Sequence, residues 1–320
     1  STTGSYNTAV GALALVDNTT GAQNTAVGDV SLYDNTTGIN NVAVGHIAMY
    51  LGTTGSNNTA VGHRAGRANL TGNDNVSMGH YALDNNTVSR NVGIGVSALA
   101  ANTTGVENTA VGGVALQDNT TGQRNTAVGY YAMEANTTGV YNDGIGAYAL
   151  GKNTTGVENS AHGYSALWNN TTGSSNVAVG GRALTTNSTA NDNTAVGFHA
   201  MYANTTGDKN VGIGCSALKA NTTASGNTAI GFFALTANTT GVDNVGVGNS
   251  AIGTNTTGQS LTAVGFKALA NTTASYNDAL GSRALESNTT GAGNVSVGYY
   301  SLNTNTTGGY NTALGGEALR

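Results

Sequence analysis

A chain of 320 residues with a formal net charge of −5 and only 8% charged side chains lacks the electrostatic footprint of a nucleic-acid or acidic-membrane binder. Its 48 glycines fall neither at every third residue nor at random, which excludes collagen and argues against low-complexity disorder. Cys215 is the sole cysteine, so no intramolecular disulfide forms, and no apolar run reaches membrane-spanning length.

From Asn7 onward one pattern, N-T-A-V-G-x-x-A-L-x-x-N-T-T-G-x-x, recurs in 19 copies, the last cut short. The copies begin at residues 7, 24, 41, 58, 75, 91, 108, 125, 142, 159, 176, 193, 210, 227, 244, 261, 277, 294 and 311. Sixteen of the spacings are 17 residues and two are 16. A period this strict means one small unit stacked on copies of itself, each touching its neighbours, so no domain boundary is expected within 1–320. The chain starts and stops inside a repeat, and Ser1-Thr2-Thr3-Gly4 reads as the tail of a preceding unit. We therefore expect a piece of a longer polypeptide, with export signals and anchors elsewhere.

Numbering the unit from its Asn, position five is Gly in every copy and position four is aliphatic except at His162. Position three is Ala, Gly or Ser, and position nine is Leu, Met or Ile except at Gly66. Fixed glycines and β-branched residues are poor helix material. The unit predicts an all-β fold: a strand at positions one to four, a turn at Gly five and a second short strand near positions six to ten. The N-T-T-G closure follows, its Gly suited to positive φ and its Asn to turn hydrogen bonds. Such a unit is one rung of a parallel β-solenoid, or β-roll, of about 19 rungs, and at ~4.8 Å per rung the whole extends about 90 Å.

In the copy at 108–124, Asn108, Val111, Gly112, Ala115, Leu116, Asn119, Thr120, Thr121 and Gly122 are the predicted ladder residues. Val111 and Leu116 are assigned to the interior, and position-one asparagines such as Asn108 to a side-chain amide ladder along the stack. His162 is expected to be an irregularity of that interior. Charged and aromatic residues collect at positions six, seven, ten, eleven, sixteen and seventeen, the expected outer surface. The aromatics, among them Tyr130, Phe198, Phe232 and Tyr299, are read as not aligning from rung to rung. That reading favours lateral contact between chains over a continuous sugar groove. The two short copies lose a residue near the N-T-T-G closure, which places that segment in a loop.

The stretch N-T-A-V-G-x-x-A-L resembles the head repeat of YadA-like trimeric autotransporter adhesins, roughly N-S-V-A-I-G-x-x-A, and the repeat shafts of some phage tail fibres. Asn159-Ser160-Ala161-His162-Gly163 and Asn176-Val177-Ala178-Val179-Gly180 carry the similarity, and the N-T-T-G insertion departs from it. The resemblance implies a left-handed roll, three chains side by side, and an extracellular, cell-surface or virion-surface location.

No catalytic, cofactor or metal site is expected. G-x-G-x-x-A occurs at Gly93-Ile94-Gly95 with Ala98, at Gly144-Ile145-Gly146 with Ala149 and at Gly212-Ile213-Gly214 with Ala217, but without the helix and acid of a dinucleotide fold. His46, His63 and His80 share position six on successive rungs, a surface row with no carboxylate or thiolate to complete a metal shell. No nucleophile-base or paired-carboxylate set recurs, so the chain is not expected to be an enzyme. Asn-Thr-Thr reads as a glycosylation sequon at Asn18, Asn35, Asn102 and Asn119, or as turn hydrogen bonding alone. The expected function is a structural and adhesive fibre segment, self-associating as a trimer or bundle, with a surface receptor or glycan as candidate partner. The alternative is a binding module that uses its repeated N-T-T-G face for ice or glycan.

Overall fold

The computed structural model describes residues 3–320. Ser1 and Thr2, expected to close a preceding repeat, lie outside the described residues. The fold is an all-β parallel solenoid of nineteen three-residue strands about 17 residues apart, with no helix among the described residues. The chain divides into two compact units, Ser1–Glu158 and Asn159–Arg320. The first holds β1 (Thr8–Val10) to β9 (Asp143–Ile145), and the second β10 (Ser160–His162) to β19 (Thr312–Leu314).

Within each unit the register never slips. Thr109, Ala110 and Val111 lie opposite Thr126, Ala127 and Val128 in the first unit. Val177, Ala178 and Val179 lie opposite Thr194, Ala195 and Val196 in the second. Like side chains therefore stack over like, as the strict period requires.

The strand alternates as expected but in the opposite phase. Position three points inward, with Ala110 and Ala127 fully buried, while positions two and four face out. Val111 is only partly buried, Val179 is 38% exposed, and His162 shares this outer row, so none of the three belongs to the interior. The reason is width. A Cβ added at Gly144 would sit 2.8 Å from Cγ of Met133, the position-nine residue of the preceding rung, and at Gly212 it would sit 2.8 Å from Cγ of Met201. Only a small side chain fits between the strand and that neighbour: Gly, Ala, or a serine such as Ser296, whose buried hydroxyl donates to the Ser301 carbonyl at 2.8 Å. The apolar core is thus Ala at three, Ala at eight (Ala115) and Leu or Met at nine (Leu116), all fully buried.

No second strand forms at positions six to ten. That arc is a run of turns in which positions seven and nine adopt left-handed φ, 64° at Val114 and 51° at Leu116. Position seventeen does the same, 55° at Arg124. Left-handed φ costs a non-glycine residue roughly 1–2 kcal/mol. Each of these residues instead gains a hydrogen bond to a neighbouring rung. The N–H of Val114 donates to the Val96 carbonyl at 2.8 Å, that of Leu116 to Ala132 at 3.0 Å and that of Arg124 to Val106 at 3.0 Å. The arc is as fully laddered as the strand, by alternating left-handed residues rather than extended ones.

Gly112 at position five has φ 136°, and a Cβ there would sit 2.4 Å from the Gly129 carbonyl oxygen of the next rung. Both facts demand glycine. Gly122 at position fifteen differs from expectation, since it lacks positive φ. It is small because a Cβ would lie 2.4 Å from Oδ1 of Asn119 and 2.5 Å from the Gly139 carbonyl.

Candidate functional site

The most organised polar chemistry lies inside the coil. Asn108 and Asn119, positions one and twelve, are fully buried, and both donate from Nδ2 to the Gly122 carbonyl, at 2.9 Å and 3.1 Å. That pair of bonds clasps each rung shut. The same side chains join successive rungs: Oδ1 of Asn108 accepts the Asn125 backbone N–H at 3.0 Å, and Oδ1 of Asn102 accepts from Nδ2 of Asn119 at 2.8 Å. Hydrogen-bonded buried amides are what an interior tolerates, and the exception among the described residues is Oδ1 of Asn69, left without a partner beneath the short rung at 75–90.

This arrangement bears on the four sequons. Asn18, Asn35, Asn102 and Asn119 are 4%, 1%, 0% and 0% exposed. Nδ2, the atom a glycan would occupy, donates to the carbonyls of Gly21, Gly38, Gly105 and Gly122. A sugar at any of them is incompatible with the closed rung. Turn hydrogen bonding is the role the fold gives these asparagines.

The two threonines of the closure are unequal. The Thr120 hydroxyl donates to the Thr137 carbonyl at 3.1 Å, whereas Thr121 is exposed and its hydroxyl has no hydrogen-bond partner in the protein. The 16-residue copy at 75–90 omits this second place. Nδ2 of Asn86 reaches the Val88 carbonyl at 2.7 Å, two residues on instead of three. The N-T-T-G face therefore presents a single file of free hydroxyls, which that rung and the other 16-residue copy, 261–276, interrupt.

Rung 16 is the irregular one. Leu261 and Thr272 occupy the places of both clasp asparagines and are buried. Leu261 still donates its N–H to Oδ1 of Asn244 at 3.0 Å but offers no acceptor to the Asn277 N–H above it. Thr272 accepts from Nδ2 of Asn288 at 3.3 Å but turns its hydroxyl to the Ala274 carbonyl rather than to Asn255, whose Oδ1 takes the Gly258 N–H, so the clasp ladder breaks between the rungs of Asn255 and Thr272.

On the outside, His46, His63 and His80 stack with ring centroids 5.3 Å and 5.0 Å apart, flanked by Asp29, Arg64 and Tyr81. Burial of the ring, then the charges of His80 and His46, hold His63 below the usual imidazole pKa. Asp84 binds Arg64 at 3.0 Å and Arg67 at 2.9 Å across rungs, and that hydrogen bonding raises the Arg64 pKa. At position seventeen Glu107 lies between Arg90 and Arg124, 2.8 Å from each. Hydrogen bonding to Arg124 holds its carboxyl below the ordinary range. Among the described residues no group of three His, Cys, Asp or Glu side chains is placed to hold a metal ion. No helix follows any of the G-x-G-x-x-A segments, and Cys215 is a half-buried free thiol.

The strand face presents an aliphatic row at position four beside a mixed Thr and Val row at position two. Positions two and four stack outward along each unit, with Val177 37%, Ile213 38%, Ile230 38% and Val264 40% exposed. Few charged side chains interrupt it, Asp143 and Asp278 among them. Comparison with protein-family models finds no match to this chain, and comparison with curated proteins finds none either.

Proposed function

We propose that the chain is a structural and adhesive segment of a surface fibre, extracellular or on a virion, whose copies associate laterally as a trimer. The observation that carries this reading is the outward aliphatic row at position four, flanked at position two by Val or by the methyl-bearing Thr in most rungs. An exposed contiguous apolar strip of this kind marks an interaction surface. Two such residues per rung offer about 100 Å² of exposed side chain, so eight or nine rungs supply the ~800 Å² per partner of a standard interface. A second copy has the same rung spacing, so its strip meets this one in step along its whole length. The adhesive role rests on the free side chains of the other faces.

Native mass spectrometry of the intact chain tests the reading. Three chains per particle are expected. Val179→Lys with Ile213→Lys, both outward-facing, should release folded monomers with an unchanged far-ultraviolet spectrum. A particle that is monomeric across micromolar concentrations overturns the proposal.

A further inference from the structure

Read alone down the second unit, position six runs Tyr164, Gly181, Phe198, Cys215, Phe232, Asn249, Phe266, Ser282, Tyr299, Gly316. An aromatic residue stands on every second rung, always separated by a small or short polar one. The aromatics do align, against the expectation from sequence, but with a period of two rungs. All five are exposed: 51%, 56%, 49%, 41% and 56% for Tyr164, Phe198, Phe232, Phe266 and Tyr299.

Crowding does not impose the alternation. In the first unit the same column carries His46, His63 and His80 on three consecutive rungs, with rings stacked about one rung apart. Nor are the small residues sockets held open for a partner's rings. A Cβ on Gly181 would lie 3.4 Å from Cδ2 of Phe198, so that ring already leans back over the preceding rung. Tyr130 covers Gly113 in the first unit in the same way, again at 3.4 Å. The Phe198 ring is backed by Gly181 and stacks on His199, and all five rings of the column keep two-fifths or more of their surface open to solvent, which makes them platforms.

Platforms two rungs apart are about 9.6 Å apart at the interstrand spacing. That is close to the advance of one disaccharide in an extended β-1,4-linked hexopyranose chain. Each sugar of such a chain is turned over relative to the last, so alternate sugars present the same C–H face. An exposed aromatic ring stacks on that face. The intervening sugars pass over Asn249 and Ser282, which supply an amide and a hydroxyl. No charged side chain stands in the column itself, and beside it Lys267 and Arg283 share the carboxylate of Glu286, at 3.8 Å each. A cleft of about 330 Å³ lined by Phe233, Thr254, Lys267, Asn271 and Glu286 opens beside Phe266 and leaves room for substituents. The geometry points to a binding track for a neutral, extended β-1,4-linked hexose polysaccharide, laid along position six of the second unit. It is independent of association through the strand face, which uses positions two and four.

Calorimetric titration of the intact chain with cellohexaose, with N-acetylchitohexaose and with maltohexaose tests this. Binding of one or both β-1,4 hexaoses, and none of the coiled α-1,4 one, is expected. The choice between the two β-linked probes fixes the substituent. Removing a platform should weaken binding roughly three- to tenfold, so Phe232→Ala, Phe266→Ala and Tyr299→Ala combined should lose at least 30-fold. Tyr276→Ala, an exposed aromatic at the closure end of its rung and outside both the column and the cleft, should change little. The side chains are exposed, so the variants keep their fold, and circular dichroism checks this. The proposal is overturned if neither β-linked probe binds, if maltohexaose binds equally, or if the triple variant binds unchanged. It is also overturned if the triple variant alters only the native mass, since the column is then a chain contact. That last result leaves the strand-face reading standing on its own lysine variants.

Discussion

Several residues that look like exceptions to the repeat are compensations. Met133 and Met201, longer than the usual Leu at position nine, are each followed by Gly at position three of the next rung, Gly144 and Gly212, where a Cβ would come within 2.8 Å of the Met side chain; Met49 is followed by Ala60, so the exchange is not obligatory. Gly66 replaces the position-nine Leu at a place where φ is 58°, and Gly226 and Gly293 occupy position seventeen at 74° and 73°. Those three glycines, with Asn40, Asn57, Asp74, Asp192 and Asp243 at position seventeen, are the trace of left-handed backbone in the sequence, and Val114 and Leu116, poor left-handed residues, hide it at positions seven and nine. His63 carries a pH prediction. Its pKa is lowered in the fold, by burial and then by His80 and His46, with Asp29, Arg64, Tyr81 and Asp84 as the other charged or titratable groups around the row. A group with a lowered folded pKa holds back protonation, so its neutral form stabilises the fold above the unfolded value near ~6.5. That contribution is lost as the pH falls below it. Melting temperature should therefore drop between pH 7.5 and 5, and His63→Gln should flatten the drop. Equal slopes for the two proteins would refute this account.

At the scale of the rung, stability is concentrated in the clasp. The Asn119 amide takes part in three buried hydrogen bonds, to Asn102, Gly122 and Asn136. Asn119→Ala leaves those partners unsatisfied and should cost about 2–4 kcal/mol, read from denaturant unfolding. Thr121→Ala, whose hydroxyl binds nothing in the protein, should stay within roughly 0.5 kcal/mol of the parent. Reversed magnitudes would show that the second threonine, not the asparagine, closes the coil. The period, the parallel register and the amide ladder were legible because the unit recurs in 19 copies, with Asn at position one in all but Leu261. The phase of the strand was not. Alternation over three residues says that positions two and four share a side but not which side, and only the contact between Met133 and position three decides it. The two-rung aromatic column was present in the letters, yet disappears when positions six, seven and ten are pooled.

For the molecule as a whole, each rung meets only its neighbours within a unit, so length and fold are separable. Deleting residues 210–226 removes one 17-residue rung of the second unit. The bonds re-form across the cut: Oδ1 of Asn193, which accepts the Asn210 N–H at 2.9 Å, would accept that of Asn227 instead. The shortened chain should keep its circular dichroism and melt cooperatively. It should also bind β-1,4 hexaoses more weakly, because Phe198 and Phe232 then fall on adjacent rungs and half the track is out of step. Deleting residues 193–226, two rungs with Phe198 among them, restores the spacing between Tyr164 and Phe232. The longer deletion should therefore bind better than the shorter one, although it has one ring fewer. Affinity that simply follows the number of rings would separate the aromatic count from the two-rung spacing and sink the track, while leaving the solenoid intact.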